Sequence, residues 1–128
     1  MERKKIIVVD DDTLLAKTIH ICLSKRGYDA KVFYNGTDAK KRLTEEKPDL
    51  LVLDIMLPDC DGWSLAKFVE RCEWAENVPL IIISALEPDR EKIAEVKPCA
   101  YIQKPFDMGQ FMQIVERSLA GETSLARV

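Results

Sequence analysis

The chain has 128 residues, with 19 Lys and Arg against 22 Asp and Glu, a formal net charge of −3. At roughly 100–200 residues per domain that length allows one domain, large enough to bury a core without a disulfide or metal staple. The charge balance excludes a broadly basic surface for tracking nucleic acid, and a hydrophobic content of 47% excludes intrinsic disorder. No apolar run approaches a membrane span, and the four apolar residues after Met-Glu-Arg-Lys-Lys are too few for an anchor or a signal peptide.

In chain order, Ile6-Ile7-Val8-Val9 is β-branched throughout and too short for a helix, so it predicts a strand. A helix opens with Asp12 as its cap, carries Leu15, Ile19, Cys22 and Leu23 at helical spacing, and stops at Gly27. Residues 30–33 predict a short strand. Asn35-Gly36-Thr37-Asp38 then turns the chain into a polar helix ending near Glu46, with Pro48 beyond. Leu50-Leu51-Val52-Leu53 is a second apolar run, 58–62 a loop, and Leu65, Phe68, Val69 and Cys72 mark one face of a third helix. Leu80-Ile81-Ile82-Ile83 forms the third run. A short charged helix covers 89–96, the last strand 99–102, and Phe111, Ile114, Val115 and Leu119 face inward from a closing helix. One domain over 1–121 follows, with 122–128 as a tail or the start of a linker.

Strands alternating with helices imply right-handed βαβ crossovers and a parallel sheet covered on both faces, which the non-alternating apolar runs also require. Cys22, Cys60, Cys72 and Cys99 lack metal-ligand spacing and read as small packed hydrophobes. Free thiols without a signal peptide predict a cytoplasmic protein.

The informative residues are those that end each run. Asp10, Asp11 and Asp12 follow Val9, Asp54 follows Leu53, Ser84 follows Ile83, and Lys104 comes two after Ile102. The fold places all of them on the rim at the carboxyl ends of the strands, where sheets of this type bind ligands. Clustered carboxylates repel and call for a hard divalent cation with oxygen ligands. Mg²⁺ suits best, since it binds through one or two carboxylates, keeps waters and leaves a position for a phosphate oxygen. Lys104 and Ser84 add an ammonium and a hydroxyl donor. Together these groups describe a cradle for a phosphoryl group, in which one carboxylate can be the nucleophile.

With these residues in place the chain resembles the receiver domains of two-component response regulators, the CheY-like superfamily. The resemblance rests on Ile6-Ile7-Val8-Val9-Asp10-Asp11-Asp12, Leu51-Val52-Leu53-Asp54-Ile55-Met56-Leu57-Pro58, Asp61-Gly62, Ile83-Ser84-Ala85 and Tyr101-Ile102-Gln103-Lys104-Pro105-Phe106, spread over residues 5–120. It implies a flavodoxin-like doubly wound (βα)5 fold whose five-stranded parallel sheet has order 2-1-3-4-5. It implies Asp54 as phosphoacceptor and a Mg²⁺ site made by Asp11, Asp54 and the Met56 main-chain carbonyl, with Asp10 acting mainly through a bound water. Ser84 and Lys104 would contact the phosphoryl group, Ser84 and Tyr101 would form the switch, and the Lys104-Pro105 bond would be cis.

The resemblance further implies a phosphohistidine donor on a sensor histidine kinase or a histidine phosphotransfer protein. It implies an output partner or effector domain that reads the surface of the fourth helix, last strand and last helix. The protein would catalyse only its own phosphorylation and dephosphorylation, without binding nucleic acid or membrane directly. Lys97-Pro98-Cys99-Ala100 departs from the usual family stretch there and implies a fourth helix that is short or displaced. His20, in the first helix, reads as a polar-face or boundary residue. Met56 and Leu86 would flank the site with apolar side chains, so that the acyl phosphate is long-lived.

Other readings meet specific obstacles. Asp10-x-Asp12 is similar to the motif of haloacid dehalogenase-type phosphatases, but Leu14 stands where that motif has Thr. A flavin module would need Ser, Thr and Gly after the first strand, where carboxylates stand. A receiver-like module that never takes phosphate would not need all of Asp10, Asp11, Asp54, Ser84 and Lys104.

Overall fold

The computed structural model describes residues 2–122. Five strands, β1 (Lys5–Val9), β2 (Asp29–Phe33), β3 (Leu50–Asp54), β4 (Leu80–Ser84) and β5 (Ala100–Gln103), form one sheet of order β2-β1-β3-β4-β5. Every pairing is parallel, with Val8 in register with both Val32 and Val52. The apolar runs become strands because both faces are covered. Ile6, Val8, Leu50, Val52, Ile81 and Ile83 point into one core, and Ile7, Val9, Leu51, Leu53 and Ile82 into the other.

Helices α1 (Thr13–Lys25) and α5 (Met108–Leu119) close the first core with Ile19, Leu23, Phe111 and Val115. The second core is closed by α2 (Gly36–Glu45), α3 (Gly62–Glu70) and α4 (Arg90–Val96), which supply Leu43, Leu65, Val69 and Val96. All five helices begin at an Asp or Asn whose side chain accepts a hydrogen bond from the first turn: Asp12, Asn35, Asp61, Asp89 and Asp107. Each such cap contributes typically about 1 kcal/mol and fixes where the helix starts. Helix α1 ends as expected before Gly27, whose φ of +89° is disfavoured for residues with a side chain.

Two boundaries differ from the sequence reading, those of the third helix and the last strand, while the fourth helix is short as read. Helix α3 stops at Glu70, and Cys72 lies beyond it, where the chain tightens toward a 3₁₀ turn at Ala75–Asn77. Strand β5 starts at Ala100, although the Cys99 N–H already donates to the Leu80 carbonyl at 2.8 Å. Helix α4 has only 7 residues and is closed by Lys97 in the left-handed conformation, φ 55°, ahead of Pro98. Of the tail read for 122–128, all but Glu122 lies outside the described residues.

Candidate functional site

Because β1 lies between β2 and β3, the chain leaves β1 on one side and returns on the other. The crevice where strand order reverses opens at the carboxyl ends of β1 and β3. Asp10 follows the last residue of β1 and Asp54 is the last residue of β3, so backbone pairing sets both carboxylates on that crevice. Asp10 is 0% exposed and Asp54 is 2% exposed, while Asp11 faces solvent. One oxygen from each of Asp10, Asp11 and Asp54 lies within 4.8 Å of the others. A cleft of about 460 Å³ opens beside them, lined by Asp11 and Asp54 and also by Asp12, Met56, Leu57, Pro58, Ala85 and Lys104.

Lys104 follows β5 and reaches back across the end of the sheet. Its main-chain N–H donates to the Ser84 carbonyl at 2.7 Å, which continues the β4–β5 ladder and aims the side chain inward. The Lys104-Pro105 peptide is cis. Lys104 Nζ donates to Asp54 Oδ2 at 2.9 Å and lies 2.9 Å from Asp10 Oδ2. The second contact has ion-pair distance without hydrogen-bond geometry, so Asp10 Oδ2 is a buried oxygen without a hydrogen bond. Asp10 Oδ1 accepts from the Asp12 N–H at 2.9 Å, and Asp54 Oδ1 from the Met56 N–H at 3.1 Å.

The electrostatics follow from this packing. Burial raises the Asp10 carboxyl from 3.8 to about 6, and the Asp54 charge adds to the rise, against the opposing pull of the Asp12 N–H and Lys104. Burial also works against the Lys104 ammonium, but its bond to Asp54 and the charges of Asp54 and Asp10 outweigh it and hold its pKa above the ordinary lysine value. One ammonium faces three carboxylates, leaving an excess of negative charge around an unbonded oxygen. That is the environment in which a hard cation with oxygen ligands is stabilised. The donor set and its orphaned oxygen therefore fit a divalent metal.

Ser84, the last residue of β4, is fully buried, and its Oγ accepts from the Leu86 N–H at 3.0 Å. Tyr101 is 3% exposed and sits in the second core, its hydroxyl donating to the Leu86 carbonyl at 2.8 Å and its ring stacked on Trp63 with centroids 6.5 Å apart. Burial pushes the Tyr101 phenol up. Tyr101 thus occupies an inward position, tied to the same β4–α4 loop that contacts Ser84. Trp63 and the Leu86 carbonyl were not singled out in the sequence, since both reach Tyr101 from elements distant along the chain.

Gly62 also has a steric role: a Cβ there would fall on the Asp54 carbonyl oxygen, so the first turn of α3 approaches the end of β3 as only glycine permits. Asp12 caps α1, its Oδ1 accepting from the Leu15 N–H at 3.1 Å. His20 is exposed beside a groove of about 650 Å³ between α1 and β2, far from the carboxylates. All four cysteines are partly buried free thiols, and burial raises Cys60, Cys72 and Cys99, which disfavours their reactive thiolate form.

This fold matches known proteins. Residues 6–116 match the response regulator receiver domain family. A CheY-like receiver domain protein from Methanospirillum hungatei JF-1 has the same fold, at a TM-score of 0.87 and 21% identity over 94% of this chain and 96% of that one. The receiver domain of a Francisella response regulator, 1452, is 30% identical at a TM-score of 0.81, covering 93% of this chain and 98% of its own. The receiver domain of the sensor histidine kinase PA1611 from Pseudomonas aeruginosa PAO1 was solved with a magnesium ion coordinated in its active site cleft. It is 26% identical at a TM-score of 0.82 over 93% of this chain and 99% of that one. The chain belongs to the response regulator receiver domain family of two-component signalling.

Proposed function

We propose that Asp54 is the phosphoacceptor of this receiver domain and that the rim around it performs and reads out the transfer. The observation that carries this is the bridge at the end of the sheet: Lys104 Nζ stands 2.9 Å from both Asp10 Oδ2 and Asp54 Oδ2, under an open cleft. Asp11, Asp54 and the Met56 main-chain carbonyl are the groups that would hold Mg²⁺, with Asp10 acting mainly through water. The relative with magnesium in its cleft supports that choice of ion. When bound, Mg²⁺ supplies Lewis-acid charge to the phosphoryl oxygens.

The donor is a phosphohistidine on a sensor histidine kinase or a phosphotransfer protein. An Asp54 carboxylate oxygen attacks its phosphorus. The P–N bond breaks, the electron pair stays on the imidazole nitrogen, and an acyl phosphate forms on Asp54. Lys104 exchanges its contact with Asp54 for one with the new phosphoryl oxygens, and the Ser84 hydroxyl donates to the same group. Both contacts bias the β4–α4 loop and Tyr101, and through them the surface of α4, β5 and α5 that an output partner or effector domain reads. The bias is only as large as the phosphoryl group's preference for one arrangement. The chain catalyses only its own phosphorylation and dephosphorylation. It works in the cytoplasm, in keeping with its free thiols; among the described residues no helix is long and apolar enough to cross a membrane.

A crystal grown with Mg²⁺ and beryllofluoride tests the reading. A tetrahedral fluoride adduct on Asp54 beside a metal ion is the expected density; clear density for an unmodified Asp54 with an empty cleft would overturn it.

A further inference from the structure

The loop between β3 and α3 carries Met56 near its start, and its tip makes contacts that the chemistry above does not use. Asp59 is exposed, yet its carboxylate accepts three hydrogen bonds from the first turn of α2. Oδ1 takes the Gly36 N–H at 2.7 Å; Oδ2 takes the Thr37 N–H at 2.8 Å and the Thr37 hydroxyl at 2.5 Å. The Thr37 hydroxyl first, then the two N–H groups, hold the Asp59 carboxyl down at about 2. Beside it, Cys60 Sγ fills the space that a Cβ on Gly36 would take, so Gly36 is what allows the loop to lie against the helix.

Helix α2 does not need Asp59 as its only cap, because Asn35 Oδ1 already accepts from the Asp38 N–H at 2.8 Å. What Asp59 adds is a link between two elements. The near end of the loop is pinned to β3 by the Met56 N–H on Asp54 and by the Gly62 N–H on the Ile55 carbonyl at 2.8 Å, and Met56 pairs with Asp61. At the tip itself, Leu57 and Cys60 pack against the second core, and the Asp59 bonds are its hydrogen-bonded link to α2.

The geometry points to Asp59 as a positioning residue: by tying the tip of the loop to α2 it fixes the Met56 backbone for metal binding. This rests on the reading of Met56 given above. Outer partners that orient ligands typically cost about 10–100-fold in metal affinity when removed, and a residue acting through the loop belongs at the lower end, about tenfold.

The test compares Asp59→Ala, Asp59→Asn and Asn35→Ala with the wild type. Mg²⁺ affinity is read from the rise of Tm with Mg²⁺ concentration, alongside the metal-free Tm. Both alanine variants lose a cap of the same helix and melt lower, but only Asp59→Ala also loses the link. The expected result is about tenfold weaker Mg²⁺ binding in Asp59→Ala, near-normal binding in Asn35→Ala, and partial recovery in Asp59→Asn, which keeps one acceptor oxygen. Equal weakening in both alanine variants would overturn the inference, since helix stability alone would then explain it. Unchanged affinity in Asp59→Ala beside a normal wild-type response would overturn it alone. A wild type that Mg²⁺ does not stabilise would overturn the reading of the metal site and this inference with it.

Discussion

Replacing Asp10 by asparagine should make the metal-free protein more stable at neutral pH while removing most of its stabilisation by Mg²⁺. Asp10 is 0% exposed, and burial raises its carboxyl from 3.8 to about 6. With the folded value above the unfolded one, the folded state holds the extra proton between them. Its contribution to stability is therefore fully present below pH 3.8 and is lost as the pH rises through about 6. About two pH units at about 1.4 kcal/mol each put the cost of ionised Asp10 near 3 kcal/mol at neutral pH. Asparagine keeps the oxygen that accepts from the Asp12 N–H, but it turns amide hydrogens toward Lys104 and removes one of that ammonium's two buried partners. The net gain is then about 1–2 kcal/mol, at about 4 °C per kcal/mol for a domain of this size. Thermal melts in a chelator at about pH 5 and about pH 8 measure it. The variant should melt higher than the wild type at the upper pH, and the gap should close at the lower one. Added Mg²⁺ should raise the wild type far more than the variant. A variant that melts lower at the upper pH, or a gap that ignores pH, would show that Lys104 fully compensates the buried charge and would refute the reasoning.

Gly62→Ala should lose roughly 1–3 kcal/mol, because its Cβ would meet the Asp54 carbonyl oxygen, and it should also slow modification of Asp54. Urea melts and phosphorylation time courses check the two effects. Phe111→Ala, which empties a fully buried position stacked on Phe106 at 5.4 Å, should lose about 3–5 kcal/mol in urea melts. The acyl phosphate should outlast several minutes in purified protein. Met56, 54% exposed, lines the cleft with an apolar side chain that cannot orient a hydrolytic water. Loss of the phosphate within seconds without a phosphatase would contradict this.

Strands β1, β3 and β4 were legible because burial on both faces forces continuous apolar runs, and the polar residue ending each run stands at the carboxyl rim of the sheet. Strand β2 was faint because it has one neighbour and only Ala30 is buried, so Lys31 can sit beside Val32 without cost. The caps at Asp12 and Asn35 follow local rules and could be read. The Asp59 bonds to α2 could not: they join residues distant along the chain, and Asn35 already satisfies the local pattern. Tyr101 was recognisable by its place before Lys104, whereas its stacking on Trp63 and its bond to the Leu86 carbonyl depend on how α3 and the β4–α4 loop pack. The carboxylate cluster was visible as strand endings, but its imbalance is a property of burial. Only the folded chain makes Asp10 inaccessible, leaves one of its oxygens unbonded and sets Lys104 between two acids.

The most direct measurement is intact-mass and peptide-mapping analysis of the protein incubated with acetyl phosphate, with Mg²⁺ or with a chelator, for the wild type and Asp54→Asn. A single phosphoryl addition that maps to Asp54, needs Mg²⁺ and disappears in Asp54→Asn is the predicted result. No addition to the wild type, or an addition that persists in Asp54→Asn or maps to Asp10, would contradict the account.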